Sequence, residues 1–387
     1  MSVRKREWET RKGEAREAWI VDYSVNGSQH IKTFKRKKDA DAYQAQVLVD
    51  IGKGVHIAAS RSATVAEAGM KWLSDADERL EPATVESYRQ HFNQHILPYL
   101  GHLKLSALTV PIVRNFMDRL RADKRSAAMI KRVVGDLGSI LADAQERGLV
   151  AQNVVRSLSH RKKQRKAERR KKRQLKVGVD IPSPEEIRAV VANLRGRWRP
   201  LLLTAIFTGL RASELRGLRW EDVKLKARQP LVLHVVQRAD KFNNTGEPKS
   251  DSGKRVVPLP PIVANTLREW KVSCPPGELG LVFPTSKGRV ENHANIVQRG
   301  LAPALIAAGV VTKGGKAKYT GLHSLRHFYA SWCINRTKDG GLGLPLKVVQ
   351  HRLGHSSIQM TSDVYGHLFP SGDDGTELAA AQKALLG

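Results

Sequence analysis

The chain has 387 residues, 41% hydrophobic and 27% charged, the proportions of a folded protein long enough for two or three separate cores. Lys and Arg number 66 against 37 acidic residues, a formal net charge of +29, so a polyanion is the partner to expect. Its two cysteines, Cys274 and Cys333, are far apart and lack metal-ligand spacing, and its longest apolar run, Leu201 to Phe207 broken by Thr204, is far too short for a bilayer, so disulfide frameworks, zinc sites and membrane spans are set aside.

Nucleic acid is the polyanion best suited to this charge, because neutralising phosphates releases counterions. An anionic membrane surface calls for a basic amphipathic helix with bulky apolar residues opposite, and none stands out. The first residues, MSVRKREWETRKGEAREAW, hold no apolar leader-like run. The expectation is a soluble cytoplasmic protein.

Residues 16 to 55 read as a small α+β unit: strand-like Ala18 to Val25, an Asn26-Gly27 turn, a second strand at Ile31 to Phe34, then a helix from Lys38 to Val49. That helix is expected to turn Ala40, Tyr43, Val47 and Leu48 inward. The hairpin is strongly basic, with Lys32, Lys35, Arg36, Lys37 and Lys38, and either enters a DNA groove or forms a solvated face.

From Thr64 to about Gly148 the pattern is helical only. Thr64 and Glu67 form a capping box at the start of a helix running to Asp77. Pro82 to Leu97, Val110 to Leu120 and Ala127 to Arg147 follow, the last with Ile130, Val133, Val134, Leu137, Ile140 and Leu141 on one face before Gly148. The run RKKQRKAERRKKR at 161–173, with ten basic residues in thirteen positions, repels itself and reads as a flexible linker; Arg161, Lys162, Lys163, Arg169, Arg170 and Lys171 would track a DNA backbone.

Beyond Ile181-Pro182-Ser183-Pro184 come helices at Pro184 to Leu194, Arg199 to Thr208 and Arg211 to Leu218, then strands at Leu231 to Gln237 and Arg255 to Leu259. Helices resume, ending with Asp374 to Leu386, whose Leu378, Ala379, Ala381, Leu385 and Leu386 make an apolar side. The fold class is mainly α with small β-sheets (α+β). The domains are expected at 1–60, a sheet-plus-helix unit; 61–160, a helical unit; 161–179, the basic linker; and 180–387, a mixed domain with a small antiparallel sheet.

Four stretches of the last domain carry chemistry. TGLRASELRGLRW, 208–220, sets Arg211 at a helix start, where a guanidinium joins free N–H groups in an anion site. GEPKSDSGKRVVPL, 246–259, is a turn-rich loop with Lys249, Lys254 and Arg255; a lysine there is a surface charge or a proton donor to a leaving oxygen. GLHSLRHFYASW, 321–332, buries Leu325, Phe328, Tyr329 and Trp332 and sets His323, Arg326 and His327 on another face. His323 and His327 have metal-ligand spacing, but the Glu of H-E-x-x-H is absent, so phosphate binding by His323 and Arg326 is expected and no metal. LGHSSIQMTSDVYGHL, 353–368, follows His355 with a helix whose stripe is Ile358, Thr361, Tyr365 and Leu368. Cations, imidazoles and a phenol without a carboxylate cluster suit phosphoryl transfer in which side chains stand where Mg²⁺ otherwise would.

These motifs resemble those of the tyrosine recombinases, the phage-integrase family. The resemblance implies catalytic roles for Arg211, Lys249, His323, Arg326 and His355, a supporting role for Glu214, and Tyr365 as nucleophile. It further implies attack of Tyr365 on a DNA phosphodiester, a 3′-phosphotyrosyl link, a free 5′-hydroxyl, and rejoining without ATP, metal or any other cofactor. The helical unit resembles the core-binding domain of integrases, and residues 1–60 resemble the arm-binding domain of lambda-type integrases. Partners implied are double-stranded DNA at attachment sites, three further copies in a homo-tetramer, and host DNA-bending or directionality factors, in the nucleoid of a bacterial host. The rival readings are a type IB-like topoisomerase and a non-catalytic basic DNA-binding protein.

Overall fold

A computed structural model describes residues 1–9, 15–25, 28–52, 62–158, 174–226, 229–369 and 375–386. The chain separates into two compact units, Met1–Ala167 and Glu168–Gly387. The Asn26-Gly27 turn and the basic run 161–173 lie outside the described residues.

The first unit holds two separate apolar clusters. One lies beneath an antiparallel sheet of order β1-β2-β3, with β1 Ser2–Glu9, β2 Ala15–Val25 and β3 Ser28–Phe34, and helix α1, Lys37–Gly52. Strand β1 was not expected. Its sequence, SVRKREWE, has no alternating apolar signal, and its side chains are almost all exposed. The backbone ladder to β2 holds it, helped by Lys5–Glu17 and Arg4–Asp22 ion pairs across the strands.

Ala40 and Val47 of α1 pack on Val21 and Tyr23, with Tyr43 partly buried. Leu48 departs from the expectation: it is 54% exposed, because residues 40, 43 and 47 already complete the face that meets the sheet. Of the expected basic hairpin, only Lys32 lies on a strand. Lys35 and Arg36 form the bend after β3, and Lys37 starts α1.

The second cluster is the centre of a helical bundle: α2 Val65–Arg79, α3 Pro82–His91, α4 Val110–Ala122 and α5 Ala127–Glu146. Thr64 Oγ1 accepts from the Glu67 N–H at 3.1 Å and the Glu67 carboxylate accepts from the Thr64 N–H at 2.7 Å, the reciprocal pair that the spacing implied. Helix α3 continues through a π-turn at Phe92–Ile96 to Leu97–Leu100. That bulge keeps Phe92 and Ile96 in the core and brings Phe92 against Gly69 of α2, where a Cβ would sit 2.0 Å from the ring.

In the second unit, helices α6 Pro184–Asn193, α7 Trp198–Thr208, α8 Ala212–Gly217, α9 Pro261–Ser273 and α10 Ala302–Ala307 surround a small sheet. Its order is β4-β5-β8, antiparallel, from Val223–Lys224, Val232–Val235 and Arg255–Pro258, and β6 Arg238–Ala239 pairs with β7 Thr245–Gly246 in a separate ribbon. Helices α11 His323–Ile334, α12 Leu346–Leu353 and α13 Ile358–Tyr365 follow, with α14 at Thr376–Leu386. One apolar cluster joins α6, α7, α9 and the sheet to the start of α11. A smaller one joins the rest of α11 to α12 and Tyr365. The α+β class holds, and these two clusters fix the elements that carry the site.

Candidate active site

The site starts at Gly209, which ends α7 with φ +61°. A Cβ there would lie 2.3 Å from the Tyr329 ring, so only glycine allows α7 and α11 to close at this point. The tight exit turns the chain into α8 with Arg211 as its first flanking residue. The Arg211 N–H donates to Glu214 Oε2 at 2.7 Å and Nη1 donates to Oε1 at 2.8 Å. That N–H is therefore occupied by the protein's own carboxylate, and the anion site at this helix start rests on the guanidinium.

Glu214 is buried and shared. Arg255, the first residue of β8, donates to it from both terminal nitrogens, Nη1 to Oε1 at 3.0 Å and Nη2 to Oε2 at 2.8 Å. Burial by itself would raise the carboxyl pKa, but Arg255 and then Arg211 hold it down at about 2.

Three arginines then converge on one helix end. Helix α12 stops at Gly354, whose φ is +63°, leaving its last carbonyls without helical partners. Arg255 Nε donates to the Arg352 carbonyl at 2.8 Å, Arg326 Nη2 to that of Leu353 at 2.5 Å, and Arg211 Nη2 to that of Gly354 at 2.9 Å. Arg326 also donates from Nη1 to the Gly209 carbonyl at 2.6 Å. Positive charge at a helix C-terminus is favourable, so the helix end stabilises the cations that it gathers.

Arg326 is 2% exposed, more buried than its place on a histidine-bearing face suggested. Burial and then Arg211 lower its pKa to about 10, which leaves it charged at neutral pH. Three guanidinium groups against one carboxylate leave two excess positive charges, a site made for an anion such as a phosphodiester.

The turn after Gly354 carries His355, buried, with Nδ1 2.9 Å from Thr361 Oγ1 and its backbone carbonyl accepting from Gln350 Nε2 at 2.9 Å. Its ring lies parallel to that of Tyr365, centroids 6.3 Å apart. Tyr365 is the last residue of α13 and is 1% exposed. Its hydroxyl is hydrogen-bonded with His327 Nδ1 at 2.7 Å. Burial raises the phenol pKa to about 12, against the pull of Arg326 and Arg211. His327 and His355 are held near 4, by burial first and by neighbouring cationic groups second, and His323 is shifted in the same direction for the same reasons.

The expected stripe of α13 is only half realised. Thr361 and Tyr365 are buried and Leu368 is partly so, but Ile358 is 46% exposed. Val364 and Phe369 supply the packing instead.

Arg211, Glu214, His323, Arg326, His355 and Tyr365 thus share one pocket. Lys249 lies exposed between β7 and the turn at Asp251–Gly253, and Lys254 is engaged with Glu247 at 2.9 Å. In the other unit, Lys32 lies 4.1 Å from the Tyr43 ring centre, Lys37 is 5.4 Å from that of Trp19, Arg36 pairs with Asp39 at 3.0 Å, and Lys35 is exposed. Arg161, Lys162, Lys163, Arg169, Arg170 and Lys171 are outside the described residues. Among the described residues no group of three or more His, Cys, Asp or Glu is placed to hold a metal ion, and no helix is long and apolar enough to cross a membrane.

Sequence reasoning gave no role to two residues of this pocket. Arg255 is in phase with Val257 and Leu259, all three buried, so an arginine on the inward side of a strand was the available signal. His327, four residues after His323, has in sequence only the spacing of a metal pair. No periodicity marks it as the partner of a tyrosine 38 residues later.

The match to the phage integrase family covers residues 183–371, and residues 64–121 match the phage integrase N-terminal SAM-like domain. The chain belongs to the phage integrase family. Its members are DNA breaking and rejoining enzymes, and so is this chain. A tyrosine recombinase XerC-like protein of Caldanaerobacter subterraneus subsp. tengcongensis is 26% identical over 371 residues, covering 89% of this chain and 90% of the relative. The fold is that of the Tn1549 transposon integrase solved with a circular intermediate DNA (TM-score 0.62, 16% identity, 84% of this chain and 100% of that one). It is also that of lambda integrase solved as a tetramer on a Holliday junction (TM-score 0.55, 16% identity, 91% and 95%).

Proposed function

We propose that this phage-integrase family enzyme is a site-specific recombinase that integrates or excises a mobile element, with Tyr365 as the nucleophile. The observation that carries this reading is the place of the Tyr365 hydroxyl. It is hydrogen-bonded at 2.7 Å within a pocket whose Arg326 and Arg211 both act on its charge.

Tyr365 attacks the phosphorus and forms the 3′-phosphotyrosine while the bond to the 5′-oxygen breaks. Arg211 and Arg326 take the non-bridging oxygens, exchanging part of their hold on carbonyls for the phosphate. If the Thr361 hydroxyl donates to His355 Nδ1, the proton of the neutral ring lies on Nε2, from which it is donated to the same oxygens. Lys249 protonates the leaving 5′-oxygen. Glu214 and Arg255 hold Arg211 in place.

Residues 61–160 serve as the core-binding domain, residues 1–60 as an arm-type DNA-binding domain, and the basic linker 161–179 connects them to the catalytic domain, 180–387. Lys32, Lys35, Arg36 and Lys37 meet DNA backbone, as do Arg161, Lys162, Lys163, Arg169, Arg170 and Lys171. Four copies assemble on two duplexes, at the nucleoid of a bacterial host, with bending or directionality factors of that host. The solved lambda tetramer on a Holliday junction supports the assembly, and helix α14, with Leu385 and Leu386 83% and 74% exposed, supports docking of one protomer on the next.

The test is covalent trapping on a nicked duplex built on the sequence that the protein selects from a random-sequence pool. Wild-type protein should give a protein–DNA adduct resistant to denaturant, and Tyr365→Phe should give none while retaining DNA binding. An adduct of equal yield from Tyr365→Phe would remove Tyr365 from the role.

A further inference from the structure

The resemblance to the recombinases implies a catalytic role for His323, but the geometry brings a different ring to the phenol. The Tyr365 hydroxyl is 2.7 Å from His327 Nδ1, with the two rings 5.6 Å apart and inclined at 62°. His323 stands one ring further out, edge-on to His327 with centroids 4.4 Å apart. His327 is partly buried and comes from the turn of α11 that also carries Arg326.

We infer that His327 is the group that takes the proton from Tyr365 as it attacks, with His323 turned toward the phosphate. The inference rests on Tyr365 being the nucleophile. As the bond from the phenolic oxygen to phosphorus forms, its O–H bond breaks and the proton passes to His327 Nδ1, giving an imidazolium. The bond from phosphorus to the 5′-oxygen breaks in the same event, and that oxygen takes a proton from Lys249. In rejoining, the 5′-hydroxyl gives its proton back to Lys249 and attacks phosphorus, the phosphorus–tyrosine bond breaks, and His327 returns its proton to the departing phenolate. No oxidant or further reactant is needed.

The surroundings explain why the free enzyme does not run this step unprompted. Burial, then His323 and Arg326, hold His327 near 4, with Asp180 pulling weakly the other way. On the facing helix, burial holds Tyr365 near 12 against Arg326 and Arg211. The proton therefore stays on the phenol. A phosphodiester beside Arg211, Arg326 and His355 adds the negative charge that an imidazolium at His327 lacks in the empty pocket. The nucleophile is thereby activated by its own substrate.

The test uses the full-length protein and the nicked duplex described above, under single-turnover conditions from pH 5 to 9. Asparagine places an amide oxygen near the position of Nδ1, so His327→Asn keeps a hydrogen-bond acceptor for the phenol and cannot take its proton. DNA affinity should change by less than about threefold, whereas covalent cleavage should slow by about 10²–10³-fold, within the range of a lost general base. The wild-type rate should fall on the acid side as His327 becomes protonated in the complex, and in His327→Asn that limb should vanish, the rate rising instead toward the ionisation of the phenol itself. A 5′-bridging phosphorothiolate, whose sulfur leaves without a proton, should rescue Lys249→Ala and leave His327→Asn slow. If His327→Asn fails to bind DNA, His327→Gln is measured in its place by the same criteria.

Cleavage by His327→Asn within about threefold of wild type, with the same pH profile, overturns the inference while leaving Tyr365 as nucleophile, since a base contributes far more than that. An adduct from Tyr365→Phe overturns the nucleophile reading itself.

Discussion

At the scale of single residues, the pocket depends on Glu214 as much as on the arginines that surround it. Its carboxylate is gripped by Arg255 and Arg211, and its pKa lies near 2 against an ordinary 4.5. Because the folded value is the lower one, the stabilisation is full above about pH 4.5 and is lost as pH falls toward 2. It amounts to roughly 3 kcal/mol over that window. Urea unfolding of wild type and Glu214→Gln between pH 7 and pH 2.5 checks this: the difference between the two should shrink as the pH falls below 4.5, and parallel curves would assign the acid sensitivity elsewhere.

Arg255→Ala strands the buried carboxylate and frees the Arg352 carbonyl, for a loss of about 3–5 kcal/mol in thermal unfolding. Arg255→Lys keeps the charge but not the two-pronged grip. It should recover part of the stability and little of the cleavage rate, since Arg211 is oriented through Glu214.

At the scale of elements, two glycines separate backbone strain from crowding. Gly354 and Gly280 both have positive φ, but a Cβ on Gly280 meets open space, whereas one on Gly354 would lie 2.8 Å from Arg255 Nη1 and 3.0 Å from the Ser252 carbonyl oxygen. Gly280→Ala should cost about 1 kcal/mol from the left-handed conformation alone. Gly354→Ala should cost more and reduce DNA cleavage as well, measured by differential scanning calorimetry and covalent trapping. Equal losses in both would mean that Arg255 yields without effect.

The same scale explains what could be read in advance. The Thr64–Glu67 box, the periodic face of α5 and the glycine ends of helices are local signals, and the structure has them. Strand β1 was illegible because its stability comes from pairing with β2 rather than from a pattern of its own. Ile358 carried the right period but reached solvent, since periodicity gives a face and not what covers it. Within the pocket, Arg211, His323, Arg326, His355 and Tyr365 stand in three short stretches that the sequence marks, but the contacts of Arg255 and His327 span 97 and 38 residues of chain, and no local pattern encodes them.

At the scale of the whole molecule, the charge of +29 makes DNA binding strongly dependent on salt. A protein making 6–10 phosphate contacts should lose about 10³–10⁵ in affinity between 50 and 200 mM salt. Fluorescence anisotropy with a short duplex measures the slope. A slope near zero would argue that the basic residues do not meet the backbone.

Removing residues 376–386 tests the role of α14. Cleavage of a single site should persist, because none of the pocket residues lies there, while pairing of two duplexes in a native gel should fail. Intact pairing would show that the exposed Leu385 and Leu386 are not needed between protomers.

The arginine grip on the end of α12 also has a consequence in time. Arg211 reaches Gly354 across 143 residues, Arg255 reaches Arg352 across 97, and Arg326 reaches Leu353 across 27. Every one of these bonds waits for residues 352–354 to leave the ribosome, and Tyr365 follows them. A growing chain can therefore carry its helical bundle, and even Arg211, before these bonds exist. The order of synthesis thus makes the pocket one of the last features of the chain to form.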